Sequence, residues 1–153
     1  MNIIKLQVKR LQLKKGEKMK LSSKTHYGLI ACDILAKNYP FKSVPASELE
    51  AKISVSGKYL EQIMRMLSKR GIVKATRGVA GGYYLAKAPE DISIGEIVRT
   101  LEDDMMLIEC VNSNGKCKCC SSSIVWKKLY KGINNLLDSM TLKQMIDGEI
   151  ENG

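Results

Sequence analysis

Four of the chain's five cysteines stand within eleven residues, Cys110, Cys117, Cys119 and Cys120, in a polar stretch of Asn, Ser, Gly and Lys. Thiols in such a setting are not core filler. As thiolates they are soft ligands for iron–sulfur clusters, zinc or copper(I), and the flanking Lys116 and Lys118 favour the deprotonated form. Zinc sites usually rest on two C-x2-C knuckles. Here only Cys117 and Cys120 have that spacing, which leaves a zinc knuckle incomplete. The adjacent Cys119-Cys120 pair also admits thiol redox or disulfide chemistry. The fifth cysteine, Cys32, lies among Ala31, Ile34 and Leu35 and reads as packing.

A second group of residues suits nucleic acid. In the stretch Gly57–Arg70, Leu60, Ile63, Met64 and Leu67 recur at i, i+3, i+4 and i+7 and must point inward on a helix. That turns Lys58, Glu61, Gln62, Arg65 and Lys69 outward. Gln62 can pair with adenine and Glu61 can accept from a cytosine amino group. Lys58, Arg65 and Lys69 suit phosphate or guanine. An ordinary solvated helix face has the same composition. What separates the two is the glycine-rich turn that follows, Arg77-Gly78-Val79-Ala80-Gly81-Gly82, where Arg77 is placed to enter a narrow minor groove.

The elements that must hold these residues are legible in outline. Tyr27, Leu29, Ile30, Ile34 and Leu35 give helical spacing over Thr25–Asn38, with Ser22 and Ser23 available as caps. Pro45 opens a short helix, Ala46–Ile53, closed by Ser54-Val55-Ser56. Ser56 caps the third helix, and Gly71 stops it. Two β-runs, Ile72–Thr76 and Tyr83–Leu85, flank the glycine turn. Helix, helix, turn, helix and hairpin is the layout of a winged helix-turn-helix. Farther on, Ser93-Ile94-Gly95-Glu96 reads as a capping box opening a helix to Asp103. From Ile124 a longer helix carries Trp126, Leu129, Ile133, Leu136, Leu137 and Met140 in a 3-4-3-4 stripe, which predicts a dimer seam. Thr141-Leu142-Lys143-Gln144 begins a last short helix.

Charge agrees with this division. Of 153 residues, 44% are hydrophobic and 27% charged, the composition of a globular protein, and the formal net charge is +9. Residues 1–18 carry +5 of it. Residues 20–88 hold twelve basic against four acidic residues, whereas 89–153 hold seven against eleven. A basic front and an acidic rear point the front at a polyanion. No run of about 18 apolar residues could span a bilayer, and Met1–Lys20 lacks the apolar core of a secretory signal. A cytoplasmic setting is therefore expected, where clustered cysteine reads as metal or redox chemistry before disulfides. Lys14-Lys15-Gly16-Glu17-Lys18 ahead of Met19 looks like a purine-rich ribosome-binding site translated in frame, so Met19 is expected to be the start. With no phosphate loop, no Ser/His/Asp set and one histidine in all, an enzyme is not expected.

Three motifs in order carry a resemblance: Met19-Lys20-Leu21-Ser22-Ser23-Lys24 leading into Tyr27-Gly28, then Ser56-Gly57-Lys58-Tyr59-Leu60-Glu61-Gln62, then Arg77-Gly78-x-x-Gly81-Gly82-Tyr83-x-Leu85. From Met19 to about Gly148 the chain resembles the Rrf-two family of bacterial winged-helix regulators, with its IscR, NsrR, RirA and CymR types. The resemblance implies that Glu61, Gln62 and Arg77 read DNA and that two copies cross through the long rear helix. It also implies that Cys110, Cys117 and Cys120 hold a cluster, which leaves Cys119 as an extra thiol and alternative ligand. The IscR type adds a histidine three residues past the last cysteine; this chain has Ser123 there. The NsrR type has a cluster ligand from the partner subunit at the eighth residue, which counted from Met19 is His26. The resemblance thus offers His26 as a fourth ligand in trans.

The chain is therefore expected to be mainly α with a small β-hairpin wing: a basic leader at 1–18, a winged helix-turn-helix DNA-binding domain at 19–88, a linker helix and cysteine-rich loop at 89–123, and a dimerisation helix with a short C-terminal helix at 124–153. The function expected is a homodimeric, operator-binding regulator, a repressor, sensing iron–sulfur status, redox state or nitric oxide through a 2Fe–2S or 4Fe–4S cluster, with no membrane partner. The alternative is a cluster-free or zinc/thiol-based regulator of cysteine and sulfur metabolism acting through a protein partner, as in the CymR type.

Overall fold

A computed structural model of the chain describes residues 21–102 and 122–150. The leader at 1–18 and Cys110, Cys117, Cys119 and Cys120 lie outside the described residues.

The first helix, α1 (Ser23–Lys37), starts two residues earlier than its apolar spacing predicts, behind Ser22. It buries Thr25, Gly28, Ala31, Cys32, Leu35 and Ala36 along one side. Helix α2 (Ala46–Ile53) follows Pro45, whose fixed φ suits a helix entry, and closes on Ser54 in the left-handed region at φ 59°. Helix α3 (Gly57–Lys69) is capped as its sequence predicts: the Ser56 hydroxyl accepts from the Tyr59 amide at 3.3 Å. Gly71, at φ 68°, then turns the chain out of the helix. Strands β1 (Val73–Thr76) and β2 (Gly82–Leu85) pair antiparallel, Val73 opposite Leu85 and Thr76 opposite Gly82.

A third segment joins this hairpin that periodicity does not reveal. Val44, in the loop between α1 and α2, exchanges both backbone hydrogen bonds with Tyr83 at 2.8 Å. The approach is so close that a Cβ on Gly82 would overlap the Val44 carbonyl. Glycine is required here by the contact between two backbones.

Beyond a 3-10 turn (Pro89–Asp91) come α4 (Ile94–Leu101), α5 (Ser122–Ser139) and α6 (Leu142–Asp147). Helix α4 ends at Leu101, short of the expected Asp103. At its start the Ser93 hydroxyl accepts from the Glu96 amide at 3.0 Å, while the Glu96 carboxylate turns to Lys87 at 2.8 Å instead of closing the box. The full box forms at α6, where Thr141 and Gln144 each accept from the other's amide. Helix α6 folds back onto the front of the molecule. Ile94 N–H donates to Met140 and Leu142 N–H to Ile92, both at 2.8 Å.

One apolar core runs through the molecule. Leu35, Leu49, Leu60, Ile63, Met64 and Leu67 meet Ile92, Ile97, Leu101 and Leu142 in a single buried cluster. It binds α3 rigidly to elements from both ends of the chain.

Candidate nucleic-acid interface

Helix α3 presents two faces. Leu60, Ile63, Met64 and Leu67 are at most 1% exposed, while Lys58, Glu61, Gln62, Arg65 and Lys69 all face solvent. The inward and outward assignments made from spacing are those of the folded chain. One pairing within the outer face is added by the structure: Arg65 donates to Glu61 at 3.1 Å, both side chains well exposed. Such a pair is weak and solvent-screened, so exchanging it for base or phosphate partners costs little. It was available to sequence reasoning as an i, i+4 pair.

Two neighbours of this face were not singled out. Glu50 of α2 lies against the first turn of α3, its Oε1 2.8 Å from where a Cβ on Gly57 would stand. A carboxylate at a helix N-terminus is favoured by the exposed amides and the helix dipole. Tyr83 of β2 feels both acids: burial first, then the charges of Glu61 and Glu50, push its hydroxyl above the ordinary range. The turn-side half of β2 therefore stands beside the outer face of α3. Glu50 comes from the neighbouring helix α2, whereas Tyr83 comes from β2, more than twenty residues along the chain, and packing of both α2 and β1 on α3 brings them together.

Arg77 is exposed on the hairpin loop beside Gly78, which adopts φ 104°. Gly81 is wedged against the Gly78 and Thr76 carbonyls, each 2.8 Å from where its Cβ would be. Ser43 braces the loop by donating to the Ala80 carbonyl at 3.0 Å. The turn thus needs its glycines for backbone reasons, and Arg77 is carried at its edge.

The start of α1 also meets the first turn of α3. His26 is exposed, its ring 5.4 Å from that of Tyr27. Tyr27 meets Tyr59 of α3 edge-on, centroids 6.1 Å apart. The first turn of α1 is held by Glu102, whose carboxylate accepts from the Ser22 amide at 2.7 Å, the Ser22 hydroxyl at 2.9 Å and the Thr25 hydroxyl. Burial works against charge on Glu102, yet the bonds from Thr25 and Ser22 and the charge of Lys24 outweigh it, so its carboxyl sits below the ordinary value. Among the described residues no group of three His, Cys, Asp or Glu is arranged to hold a metal ion. Cys32 is fully buried and its thiol is pushed up to about 12, so it stays protonated and is the packing residue expected.

Helix α5 differs from the others in burying no residue. Ile124, Val125, Leu129 and Leu136 are 71%, 61%, 46% and 62% exposed. With Lys128, Gly132 and Ile133 they line a shallow apolar groove. Of the expected stripe, Leu129 and Leu136 lie on this open side, whereas Trp126, Ile133, Leu137 and Met140 are half-buried. The helix is pinned to α4 by Arg99, which donates to Asn134 at 3.1 Å and to Asp138.

Three helices, a two-stranded hairpin and a following helical region place this chain among the winged-helix DNA-binding regulators. Residues 21–148 match the Rrf2 family, described as an iron-dependent transcriptional regulator, and the chain belongs to that family. It is 28% identical over 134 residues to the HTH-type transcriptional regulator IscR of Erwinia tasmaniensis, covering 86% of this chain and 81% of that one. With IscR of Aliivibrio salmonicida it shares 30% over 139 residues, 87% and 81% of the two chains. Among solved structures it is similar to CymR, the global cysteine regulator of B. subtilis (TM-score 0.70, 30% identity, 84% of this chain and 96% of that one). IscR of T. potens is similar too (TM-score 0.68, 34% identity, 88% and 93%). The chain is thus a transcriptional regulator of a family that includes both types.

Proposed function

We propose that the protein is a homodimeric repressor that binds a double-stranded DNA operator and senses iron–sulfur status, redox state or nitric oxide through an iron–sulfur cluster. The observation that carries the DNA reading is the outer face of α3, where Lys58, Glu61, Gln62, Arg65 and Lys69 stand exposed beside a hairpin bearing Arg77. Glu61 and Gln62 are the proposed base readers, Lys58, Arg65 and Lys69 the contacts to phosphate or guanine, and Arg77 the minor-groove reader. Two copies would read half-sites about one helical turn, roughly 10 bp, apart. The second copy is the occupant proposed for the apolar groove of α5, since aliphatic side chains this exposed are stabilised by being covered.

For the cluster, the chemistry of the donor set is the support. Cys110, Cys117 and Cys120 supply three soft thiolates, with His26 of the partner subunit as the fourth ligand and Cys119 as the alternative. The cluster would supply one-electron and ligand-exchange chemistry to the regulator.

The likeness to CymR favours a second reading: a cluster-free or zinc/thiol-based regulator of sulfur metabolism working through a protein partner. One measurement separates the two. Protein purified anaerobically should show charge-transfer absorption in the visible and contain iron and sulfide. A colourless, zinc-loaded sample selects the second reading. His26→Ala should then change the cluster spectrum or its stability in air, and an unchanged cluster removes His26 from the ligand set.

A further inference from the structure

We infer that Glu102 is a positioning residue for the recognition helix: by holding the first turn of α1 from the end of α4, it sets how α3 is presented to DNA. The inference rests on the DNA-binding reading above and goes beyond it, because Glu102 belongs neither to the outer face of α3 nor to the hairpin loop to which that reading assigns DNA contact.

The start of α1 is built unusually. Its N-cap residue, Ser22, makes no side-chain cap bond to its own helix. Instead Ser22 gives both its amide and its hydroxyl to a carboxylate 80 residues farther along the chain. Thr25, the one fully buried polar residue among those described, donates its hydroxyl to the same Glu102 oxygen. Hydrogen bonds to a carboxylate are about twice as strong as neutral ones, and the helix dipole favours a negative group at this end. Without Glu102 a buried hydroxyl and a helix-start amide both lose their partner.

What this turn touches is α3. One residue before Glu102, Leu101 is fully buried against Gly28 of α1. A Cβ at Gly28 would overlap Leu101 Cδ1 and stand 3.5 Å from Ile63 Cγ2. Leu101, Gly28 and Ile63 are therefore stacked with no space between α4, α1 and α3. Beside them Tyr27 abuts Tyr59 in the first turn of α3, next to Lys58. A close-packed interior passes displacement on rather than absorbing it. The first two turns of α1 are thus clamped between the end of α4 and the inner face of α3. Ile63 and Tyr59 alternate along α3 with the readers Lys58, Glu61 and Gln62. Residue 102 is also where the chain departs toward the cysteines, so a pull on Glu102 from that side would reach the reading face by this route.

The test uses the full chain and a duplex that the wild-type protein selects from a randomised pool, with an unselected duplex of equal length as the comparison. Glu102→Ala should lower affinity for the selected duplex by about two- to thirtyfold while binding to the unselected duplex stays the same, because phosphate contacts tolerate a misplaced helix better than base contacts do. Glu102→Gln, whose amide oxygen still accepts, should recover part of the discrimination. Glu102→Ala with Thr25→Val removes the orphaned hydroxyl, restoring stability without restoring the link, and should stay as undiscriminating as Glu102→Ala. If Glu102→Ala retains full discrimination, or loses affinity for both duplexes equally, or if Thr25→Val restores discrimination, the inference is overturned. Should the wild-type protein select no duplex, it is the DNA reading that fails, and the inference falls with it.

Discussion

Helices α3 and α5 carry much the same kind of apolar repeat and meet opposite fates. In α3 the four apolar residues of the inner face are buried against α1, β1 and α4. In α5 not one residue is buried, and Ile124, Val125, Leu129 and Leu136 stand in the open. The periodicity of a helix specifies that one face seeks apolar company; it does not specify whether that company lies in the same chain. In this molecule α6 takes the place on the core that α5 does not fill, through the fully buried Leu142.

The largest expected effect tests the buried side of that contrast. Ile63→Ala should destabilise the protein by about 2–5 kcal/mol, read from chemical denaturation, whereas Leu136→Ala at low protein concentration should cost well under about 1 kcal/mol. Equal losses would mean that α5 is already covered within one chain. Next, if α5 is the seam of the proposed dimer, Leu129→Arg with Leu136→Arg should yield a monomer that still folds, seen by sedimentation as a halved mass with unchanged helical circular dichroism. An unaltered mass would move the proposed seam elsewhere.

A smaller effect concerns Glu102, which holds the start of α1 on the α3 side of that comparison. Its carboxyl is lowered from the ordinary 4.5 in the folded chain. The bonds of the ionised form therefore stabilise the fold above that value and are lost as pH falls through the lowered one. The thermal midpoint of Glu102→Gln should accordingly fall less steeply below pH 4.5 than that of the wild type. The smallest effect belongs to Arg99. Its pair with Asp138 is substantially exposed, so Arg99→Ala should cost about 0.5 kcal/mol and loosen α5 on α4, measurable as faster amide exchange in α5.

Much of the front of the molecule was legible because its signals are local. Ser56 as a cap, Gly71 as a stop, the split of α3 into inner and outer faces, and the glycine turn under Arg77 each depend on a few neighbouring residues. The stripe on α5 was read as a seam from spacing alone, but which of its members are open and which are half-covered by α4 depends on the Arg99 contacts. Ser93 and Glu96 have the spacing of a capping box, yet Lys87, nine residues away, draws the carboxylate off. Glu50 and Tyr83 passed unnoticed because nothing in their own segments marks them as neighbours of α3.

The sequence by itself determined the kind of fold, the face of α3 that looks outward, and the presence of a clustered thiol set, since helix periodicity, capping and residue chemistry act within a turn or two of the chain. Only the tertiary structure decided that Val44 completes the hairpin, that Leu142 closes the core, and that Glu102 holds Ser22 and Thr25 across 80 residues. Those contacts are set by close packing and by buried polar groups seeking partners, and neither leaves a period in the sequence to be read.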